Sequence, residues 1–136
     1  MCEEANLTVR CLDASFLIDL LRGNPDAVRK ATSLDAAGER TSVAAPALAE
    51  ILSGAYYKGG PDLTHTLETL ASVEVLPVGE AVAAEAGRLG GEMLRRGAKV
   101  ATVDLLIAAA AKINQHTLVT RDAVFSQIPG LAVESY

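Results

Sequence analysis

The stretch formed by residues 12–23 limits the fold of this chain more than any other part of the sequence. An apolar run over residues 9–12 ends in an acid, Asp13, and a helical pattern of apolar residues begins directly after it. We expect Ser15 to cap this helix and Gly23 to end it. In open α/β sheets, ligands bind outside the carboxyl ends of the strands, where such a junction lies. Asp13 is therefore predicted to anchor an acidic site.

Short strand patterns alternate with helical patterns along the rest of the chain, and no repeat or second-domain boundary interrupts them. This alternation predicts a mainly parallel sheet with helices on both faces. The predicted strands after the first span residues 41–45, 73–78, 117–120 and 131–134, with the strand at 73–78 expected at an edge. Helices are predicted from Asn24 to about residue 38, from Pro46 onward, and over 62–72, 80–96 and 102–111, with a loop at 58–61.

The length of 136 residues fits one domain over residues 1–136, with residues 1–7 expected to form a flexible N-terminal extension. Hydrophobic residues make up 50% of the chain and aromatic residues 4%, so the core should consist mostly of Leu, Val, Ile and Ala. The net charge of -5 argues against a protein that coats nucleic acid by charge alone. A nucleic-acid enzyme stays possible because carboxylates gathered around a cation inflate the formal negative charge.

The two cysteines, Cys2 and Cys11, lack the spacing of a zinc site, which favours a reduced, cytoplasmic setting. Cys11 is expected to be a buried small hydrophobe and Cys2 a mobile thiol. His65 is expected on the surface and His116 in a loop. The first residues lack the pattern of a signal peptide, and no apolar run reaches the ~18 residues of a membrane span.

Three aspartates occupy positions that the predicted fold brings together. Asp13 and Asp122 follow strands whose carboxyl ends meet at one edge of the sheet. Asp104 lies in the first turn of a helix that is apolar on every side, and hence buried, with Thr102 expected to cap it. An aspartate that merely complements the helix dipole is the alternative for Asp104.

Glu50 is a fourth acid, and its position is ambiguous. It lies nearly opposite the apolar stripe of its helix, which favours a solvated side chain. Its neighbours on that face, Ala47 and Gly54, are nevertheless small enough for another backbone to approach and partly bury the acid.

Carboxylates ~4 Å apart repel by about 4 kcal/mol per pair at an effective dielectric of about 20, so a cluster requires protonation or a cation. Oxygen ligands select a hard ion, Mg²⁺ or Mn²⁺, and such ions support hydrolysis of phosphodiesters. Ser15 and Thr120 then become donors that orient a carboxylate or the attacking water. The alternatives are a helix cap for Ser15 and strand propensity for Thr120.

Other charged residues have two interpretations each. Asp19 lies one helical turn after Ser15 and could face the same cleft, but a solvated residue is expected. A cluster of bases shortly before Asp104 either complements the C-terminal dipole of a helix or binds the phosphate backbone of a nucleic acid. The bases considered for nucleic-acid binding are Arg95, Arg96, Lys99 and Arg121.

Four segments together resemble the PIN-domain family, in particular its VapC-like ribonuclease toxins of toxin–antitoxin modules. The segments are residues 12–18 (LDASFLI), 49–54 (AEILSG), 104–109 (DLLIAA) and 118–125 (LVTRDAVF). They resemble the family's acidic motifs in order, each on the expected element. The likeness spans roughly residues 8–136, and the chain departs from the family in its extra residues before the first strand and its few aromatic or basic residues.

The resemblance implies a three-layer α/β/α sandwich, one or two Mg²⁺ or Mn²⁺ ions and an RNA substrate. It also implies a homodimer and inhibition by a cognate VapB-like antitoxin. Asp13, Glu50, Asp104 and Asp122 match the metal ligands, and Glu50 is also a candidate for activating water, which replaces the solvated interpretation above. Ser15 and Thr120 match supporting positions.

Three other classes of protein have acidic sites or folds that resemble this pattern. A phosphate-accepting receiver domain would require paired acids after the first strand and a lysine after the last, and residues 131–136 contain no lysine. A haloacid-dehalogenase-like phosphatase would require Asp-x-Asp, where this chain has a serine at position 15. A PIN-like RNA- or protein-binding module with weak or no nuclease activity stays the alternative, although four intact acids count against it.

Overall fold

The computed structural model describes residues 8–136; the predicted flexible extension, 1–7, with Cys2, lies outside them. Within the described part there are five strands and six α-helices. A pair of α-helices follows each of the first three strands, and a 3₁₀ helix precedes the last strand. The strands are β1 (Val9–Leu12), β2 (Arg40–Ala44), β3 (Glu74–Leu76), β4 (Thr117–Val119) and β5 (Val133–Glu134). The helices are α1 (Ala14–Leu21), α2 (Pro25–Ala36), α3 (Ala45–Lys58), α4 (Gly60–Leu70), α5 (Glu80–Arg95) and α6 (Thr102–Ile113), and the 3₁₀ helix is Ala123–Gln127.

The strands form one sheet in the order β3-β2-β1-β4-β5, and its pairings are parallel. The predicted parallel sheet and α/β/α fold class are confirmed, and β3 lies at an edge as expected. From the central β1 the chain first builds β2 and β3 on one side and then β4 and β5 on the other. Strand order therefore reverses between β1 and β4, the point at which ligands bind in open α/β sheets.

The first two helices begin and end where the sequence indicates. Gly23 follows α1 with a φ of +78°, a conformation that glycine adopts without steric cost. Asn24 caps α2, since its Oδ1 accepts from the backbone N–H groups of Asp26 and Ala27 at 3.0 and 3.1 Å.

Two predicted caps are wrong. Asp13, not Ser15, occupies the N-cap position of α1, and Ser15 lies inside the helix, where its hydroxyl donates to the Asp13 carboxylate. Thr102 is the first residue of α6 rather than its cap, because Ala101 holds the N-cap position and no side chain caps the helix.

The predicted loop at 58–61 is also wrong. Gly59 is the one residue between α3 and α4, and the positive φ angles of Gly59 (+66°) and Gly60 (+54°) let the chain turn there. The helix expected to open at Pro46 begins one residue earlier, with the proline in its first turn, where a missing N–H leaves no donor unsatisfied.

The core is built from small aliphatic side chains, as predicted from the low aromatic content. In α6, Ala108, Ala109, Ala110 and Ala111 are completely buried. The helix α5 approaches α6 so closely at Gly90 that a Cβ there would lie 2.9 Å from Leu105 Cδ1. Cys11 is buried in β1, and this burial raises the pKa of its thiol to about 11. Among residues 8–136, no helix is long and apolar enough to span a lipid bilayer.

Candidate functional site

Asp13 lies where β1 leaves the sheet, and neighbouring elements fix it there. Its backbone N–H donates to the Val119 carbonyl at 3.0 Å, which extends the β1–β4 ladder by one residue. Its side chain is 5% exposed, and Oδ2 accepts from the hydroxyls of Ser15 at 3.0 Å and Thr120 at 2.8 Å. Hydrogen bonds to the ionised form offset the cost of burying a carboxylate. Asp13 is therefore pre-oriented.

Thr120 connects the ends of the two central strands. Its buried hydroxyl donates to Asp13 and accepts from the Asp122 backbone N–H at 3.0 Å. The Asp122 carboxylate in turn caps the 3₁₀ helix by accepting from the Val124 backbone N–H at 3.1 Å. The position of Asp122 relative to Asp13 is thus set through one threonine.

Asp104 supplies the third carboxylate from the first turn of α6, where it is partly buried. Burial raises its pKa above the usual value, and the nearby charges of Asp122, Asp13 and Glu50 raise that pKa further. Asp104 therefore lies within electrostatic reach of the other three predicted acids.

Glu50 is exposed on α3, as its helical position indicates. It borders a groove of about 270 Å³ between α1, α3 and α4, whose lining includes Ile18, Gly54 and His65. Glu50 is thus accessible to solvent, in contrast to the buried Asp13, and the other three acids do not line this groove.

The donor chemistry of these acids fits a hard cation. Carboxylate oxygens are the ligands that Mg²⁺ and Mn²⁺ prefer, and a cation would relieve the repulsion that raises the pKa of Asp104. Across residues 8–136, however, no three Asp, Glu, His or Cys side chains converge closely enough to form a ready coordination sphere. The acids are neighbours that would need side-chain adjustment to share one ion.

A second polar cluster adjoins the first, and the expectation that Asp19 is solvated is wrong. Asp19 is 6% exposed, and its Oδ2 accepts from the Tyr136 hydroxyl at 2.6 Å and lies 3.2 Å from Arg121 Nε. The Tyr136 ring packs edge-on against Phe16, with ring centroids 4.9 Å apart. The i+4 spacing from Ser15 placed Asp19 on the same helix face, but nothing local in the sequence indicated Tyr136.

The other predicted nucleic-acid contacts lie on the surface. Arg95, Arg96 and Lys99 are exposed at and after the end of α5, where Arg96 pairs with Glu92 at 2.9 Å. Within residues 8–136, none of these three bases forms an ion pair with one of the four acids. In the sequence they lie shortly before α6, the helix that carries Asp104.

The histidines lie apart from Asp13. His65 is exposed, as predicted, on the rim of the groove. His116 does lie between α6 and β4, but it is 9% exposed, and its Nδ1 is 2.8 Å from Ser42 Oγ. Burial lowers the pKa of His116, an effect that nearby Glu74 opposes and Arg40 reinforces.

Comparisons with known proteins match this architecture. The sequence model of the PIN domain family matches residues 10–131. A search of curated protein sequences found no match.

Solved structures similar to this chain include toxin–antitoxin assemblies. A chain of VapBC-5 from Mycobacterium tuberculosis, a member of the VapBC family of toxin–antitoxin systems, is 28% identical, with a TM-score of 0.67, covering 94% of this chain and 97% of that one. A chain of FitAcB from Neisseria gonorrhoeae is 27% identical, with a TM-score of 0.77 and coverage of 93% and 96%. A chain of VapBC2 from Rickettsia felis, bound to a DNA fragment from its promoter, is 24% identical, with a TM-score of 0.81 and coverage of 95% and 99%, and shows the shared fold.

Proposed function

Because the chain belongs to the PIN-domain family, we propose that it is a metal-dependent endoribonuclease that hydrolyses RNA phosphodiester bonds as the toxin of a toxin–antitoxin pair. One observation carries this proposal. The pKa of Asp104 is raised by burial and by three further acids that come from the ends of β1 and β4 and from α3. Carboxylates gathered from separate elements are ligands that suit a hard divalent cation, and such cations support phosphodiester hydrolysis.

Asp13, Glu50, Asp104 and Asp122 are the residues that would hold Mg²⁺ or Mn²⁺, as one ion or two. When bound, the cation supplies charge to stabilise the pentavalent phosphorus transition state and the leaving oxygen. Ser15 and Thr120 fix the Asp13 carboxylate by donating to Oδ2, which leaves Oδ1 available to a ligand.

Glu50 is suited to accept the proton of the attacking water. Its side chain is exposed, so water and RNA can reach it in the folded protein. Water attacks phosphorus as its proton passes to the Glu50 carboxylate. The bond from phosphorus to the leaving oxygen then breaks, and that oxygen gains a proton from solvent.

RNA binding would use the few bases near this edge of the sheet. A net charge of -5 makes non-specific attraction to RNA weak, so individual contacts matter more than the overall field. The proposed contacts to single-stranded or structured RNA are Arg95, Arg96, Lys99 and Arg121.

The proposed partners follow from the solved relatives. Chains that share this fold occur in VapBC and FitAcB assemblies. We propose a VapB-like antitoxin for this chain, a homodimeric state and a cytoplasmic location. A PIN-like binding module with little or no nuclease activity is the second candidate, favoured by the lack of a ready coordination sphere among residues 8–136.

The deciding experiment is cleavage of total RNA, transfer RNA and an unstructured RNA by purified protein in Mg²⁺, Mn²⁺ or EDTA. Asp13→Asn and Asp104→Asn should abolish cleavage, as should EDTA. Asp35→Asn, which neutralises an exposed aspartate on α2, is the matched control and should cleave normally. Wild-type protein that binds Mn²⁺ but leaves every RNA intact would support the binding module instead.

A further inference from the structure

The backbone of Arg121 is fixed next to the acidic site. Its two neighbours are tied to each other, because the Asp122 N–H donates to Thr120 Oγ1 at 3.0 Å. Thr120 is also bonded to Asp13 at 2.8 Å. The side chain of Arg121 therefore starts from a defined point between two residues of the site.

The side chain of Arg121 is held by one atom. Its Nε lies 3.2 Å from Asp19 Oδ2, and among residues 8–136 this guanidinium has no other ion-pair partner. Since a guanidinium carries five N–H donors, the terminal nitrogens remain available to a ligand. The Arg121 side chain is 59% exposed, whereas that of Asp19 is only 9% exposed.

Tyr136 contacts the same carboxylate as Arg121. Its hydroxyl donates to Asp19 Oδ2 at 2.6 Å, the same oxygen that faces Arg121, and its ring rests on Phe16. Asp19 lies one helical turn after Ser15 on α1, and the Ser15 hydroxyl donates to Asp13 Oδ2 at 3.0 Å. The helix α1 thus carries both Asp19 and a residue that contacts the buried acid of the site.

We propose that Asp19 and Tyr136 are positioning residues that orient Arg121, so that the open edge of its guanidinium binds a phosphate of the RNA strand at the acidic site. The proposal rests on the proposed ribonuclease function and adds a specific phosphate contact to it. Four acids repel a polyanion, and a planar guanidinium held at one nitrogen presents paired donors that match phosphate oxygens. A buried carboxylate is costly unless it is paired, and Asp19 is paired with the arginine that would meet the substrate.

The test measures binding, so it does not depend on cleavage. Fluorescence anisotropy of a labelled oligouridylate is recorded in Mg²⁺ over a range of salt concentrations, with every protein carrying Asp104→Asn to prevent turnover. The variants added to it are Arg121→Gln, Arg121→Lys, Asp19→Asn and Tyr136→Phe. Arg29→Gln, which removes an exposed arginine paired with Asp26 on α2, is the matched control.

Arg121→Gln should weaken binding about tenfold and lower the salt slope by about 0.7, the value for one contact to a single strand. Arg121→Lys keeps the charge but loses the planar fork, so it should retain the salt slope with weaker binding. Asp19→Asn and Tyr136→Phe should each weaken binding about threefold, within the usual range of a coupled pair. Arg29→Gln should change neither quantity.

A double-mutant cycle separates positioning from a general structural role. When Asp19→Asn or Tyr136→Phe is combined with Arg121→Gln, no further loss should appear, since the positioned group is already gone. Equal losses with and without Arg121→Gln would overturn the proposal. Tyr136→Phe keeps the ring on Phe16, so it serves if Asp19→Asn proves poorly folded by circular dichroism.

The outcomes distinguish this proposal from the nuclease proposal. If wild-type protein cleaves RNA while Arg121→Gln leaves affinity and salt slope unchanged, only the positioning proposal fails. If the predicted pattern of binding is found without any cleavage, the nuclease proposal fails and the phosphate contact stands. Absence of measurable binding in the Asp104→Asn parent would overturn the phosphate contact, because the electrostatic part of RNA binding does not depend on sequence.

Discussion

The hydroxyl of Thr120 lies 2.8 Å from Asp13 Oδ2 and links two residues that are 107 positions apart in the chain. Thr120 Oγ1 also accepts a hydrogen bond from the Asp122 backbone N–H. One buried threonine therefore sets the spacing of Asp13 and Asp122. This arrangement makes Thr120 a sensitive point for testing the site without changing any charge.

Thr120→Val should lower Mn²⁺ affinity and RNA cleavage about 10- to 100-fold, the usual effect of losing a group that orients a metal ligand. Valine has nearly the same shape, but it leaves the Asp122 N–H and Asp13 Oδ2 each without one partner. Calorimetric titration with Mn²⁺ and cleavage assays measure the effect. Thr117→Val, at the opposite end of β4, is the control. Unchanged Mn²⁺ affinity would show that Asp13 needs no support from Thr120.

Asp104→Asn should stabilise the metal-free protein while removing its activity. The pKa of Asp104 is raised by burial and by three neighbouring acids, so the folded state binds a proton more tightly than the unfolded state. Its ionised form at neutral pH therefore opposes folding, and Asn removes that repulsion. We expect the melting temperature in EDTA to rise by about 2 °C, a modest value because solvent screens a partly exposed group. In saturating Mg²⁺, the wild type should have the higher melting temperature. A melting temperature of Asp104→Asn below that of wild type in EDTA would contradict the prediction.

His116 should make stability depend on pH on the acidic side of neutrality. Burial lowers its pKa in the folded state, so the unfolded state binds more protons as pH falls below about 6.5. The stability that neutral His116 contributes is thus complete above that pH and is lost as pH drops through the folded pKa. In urea unfolding, the free energy of unfolding should fall less between about pH 7.5 and about pH 5.5 in His116→Asn than in wild type. His65→Asn, on an exposed residue, should behave as wild type does; equal losses in all three proteins would rule out His116 as the cause.

Glu85 joins α5 to α6 through an ion pair that should be lost in strong acid. Its carboxylate accepts from Arg88 and Lys112 at 2.7 Å each, and these hydrogen bonds, Arg88 first, lower its pKa to about 2. A lowered folded pKa gives stability that is present above about pH 4.5 and is lost as pH falls towards about 2. Glu85→Gln should cost about 0.5–1 kcal/mol at neutral pH, since the network is partly exposed, and the difference from wild type should narrow below about pH 4.

The matched control for Glu85 is Glu68→Gln on α4, an exposed glutamate without an ion pair in residues 8–136. Both variants remove one negative charge, so a change in net charge affects them alike. The free energy of unfolding of both variants is measured by chemical denaturation, monitored by circular dichroism. If both variants lost the same free energy of unfolding at every pH, the Glu85 ion pair between α5 and α6 would contribute no specific stability.

The sequence predicts those parts of the site that depend on local pattern. Asp13 and Asp122 each follow an apolar strand, and parallel strands bring their carboxyl ends together, so their proximity followed from the element order. Asp104 was likewise placed by the apolar helix in whose first turn it lies. The environment of Asp19 was mispredicted because its partners come from distant positions, Tyr136 and Arg121, and the helical wheel carries no information about them.

Local rules also failed where a tertiary contact competes with them. Ser15 has the chemistry of a helix cap, but its hydroxyl donates to Asp13 instead. His116 lies between two elements, as a loop residue would, and is buried because Ser42 of β2 provides a partner. The proline and glycines at 59–61 suggested a loop, whereas two consecutive glycines with positive φ, Gly59 and Gly60, are sufficient for the turn.

The order of the strands also governs when the site can exist during synthesis. Asp13 leaves the ribosome early, but its backbone N–H bonds to Val119 and its carboxylate to Thr120, which emerge more than a hundred residues later. A nascent chain that stops before β4 lacks one of the two strands that pair with β1, and it lacks Thr120 and Asp122. The acidic centre therefore assembles only near the end of translation of this domain, and shorter translation products lack it altogether.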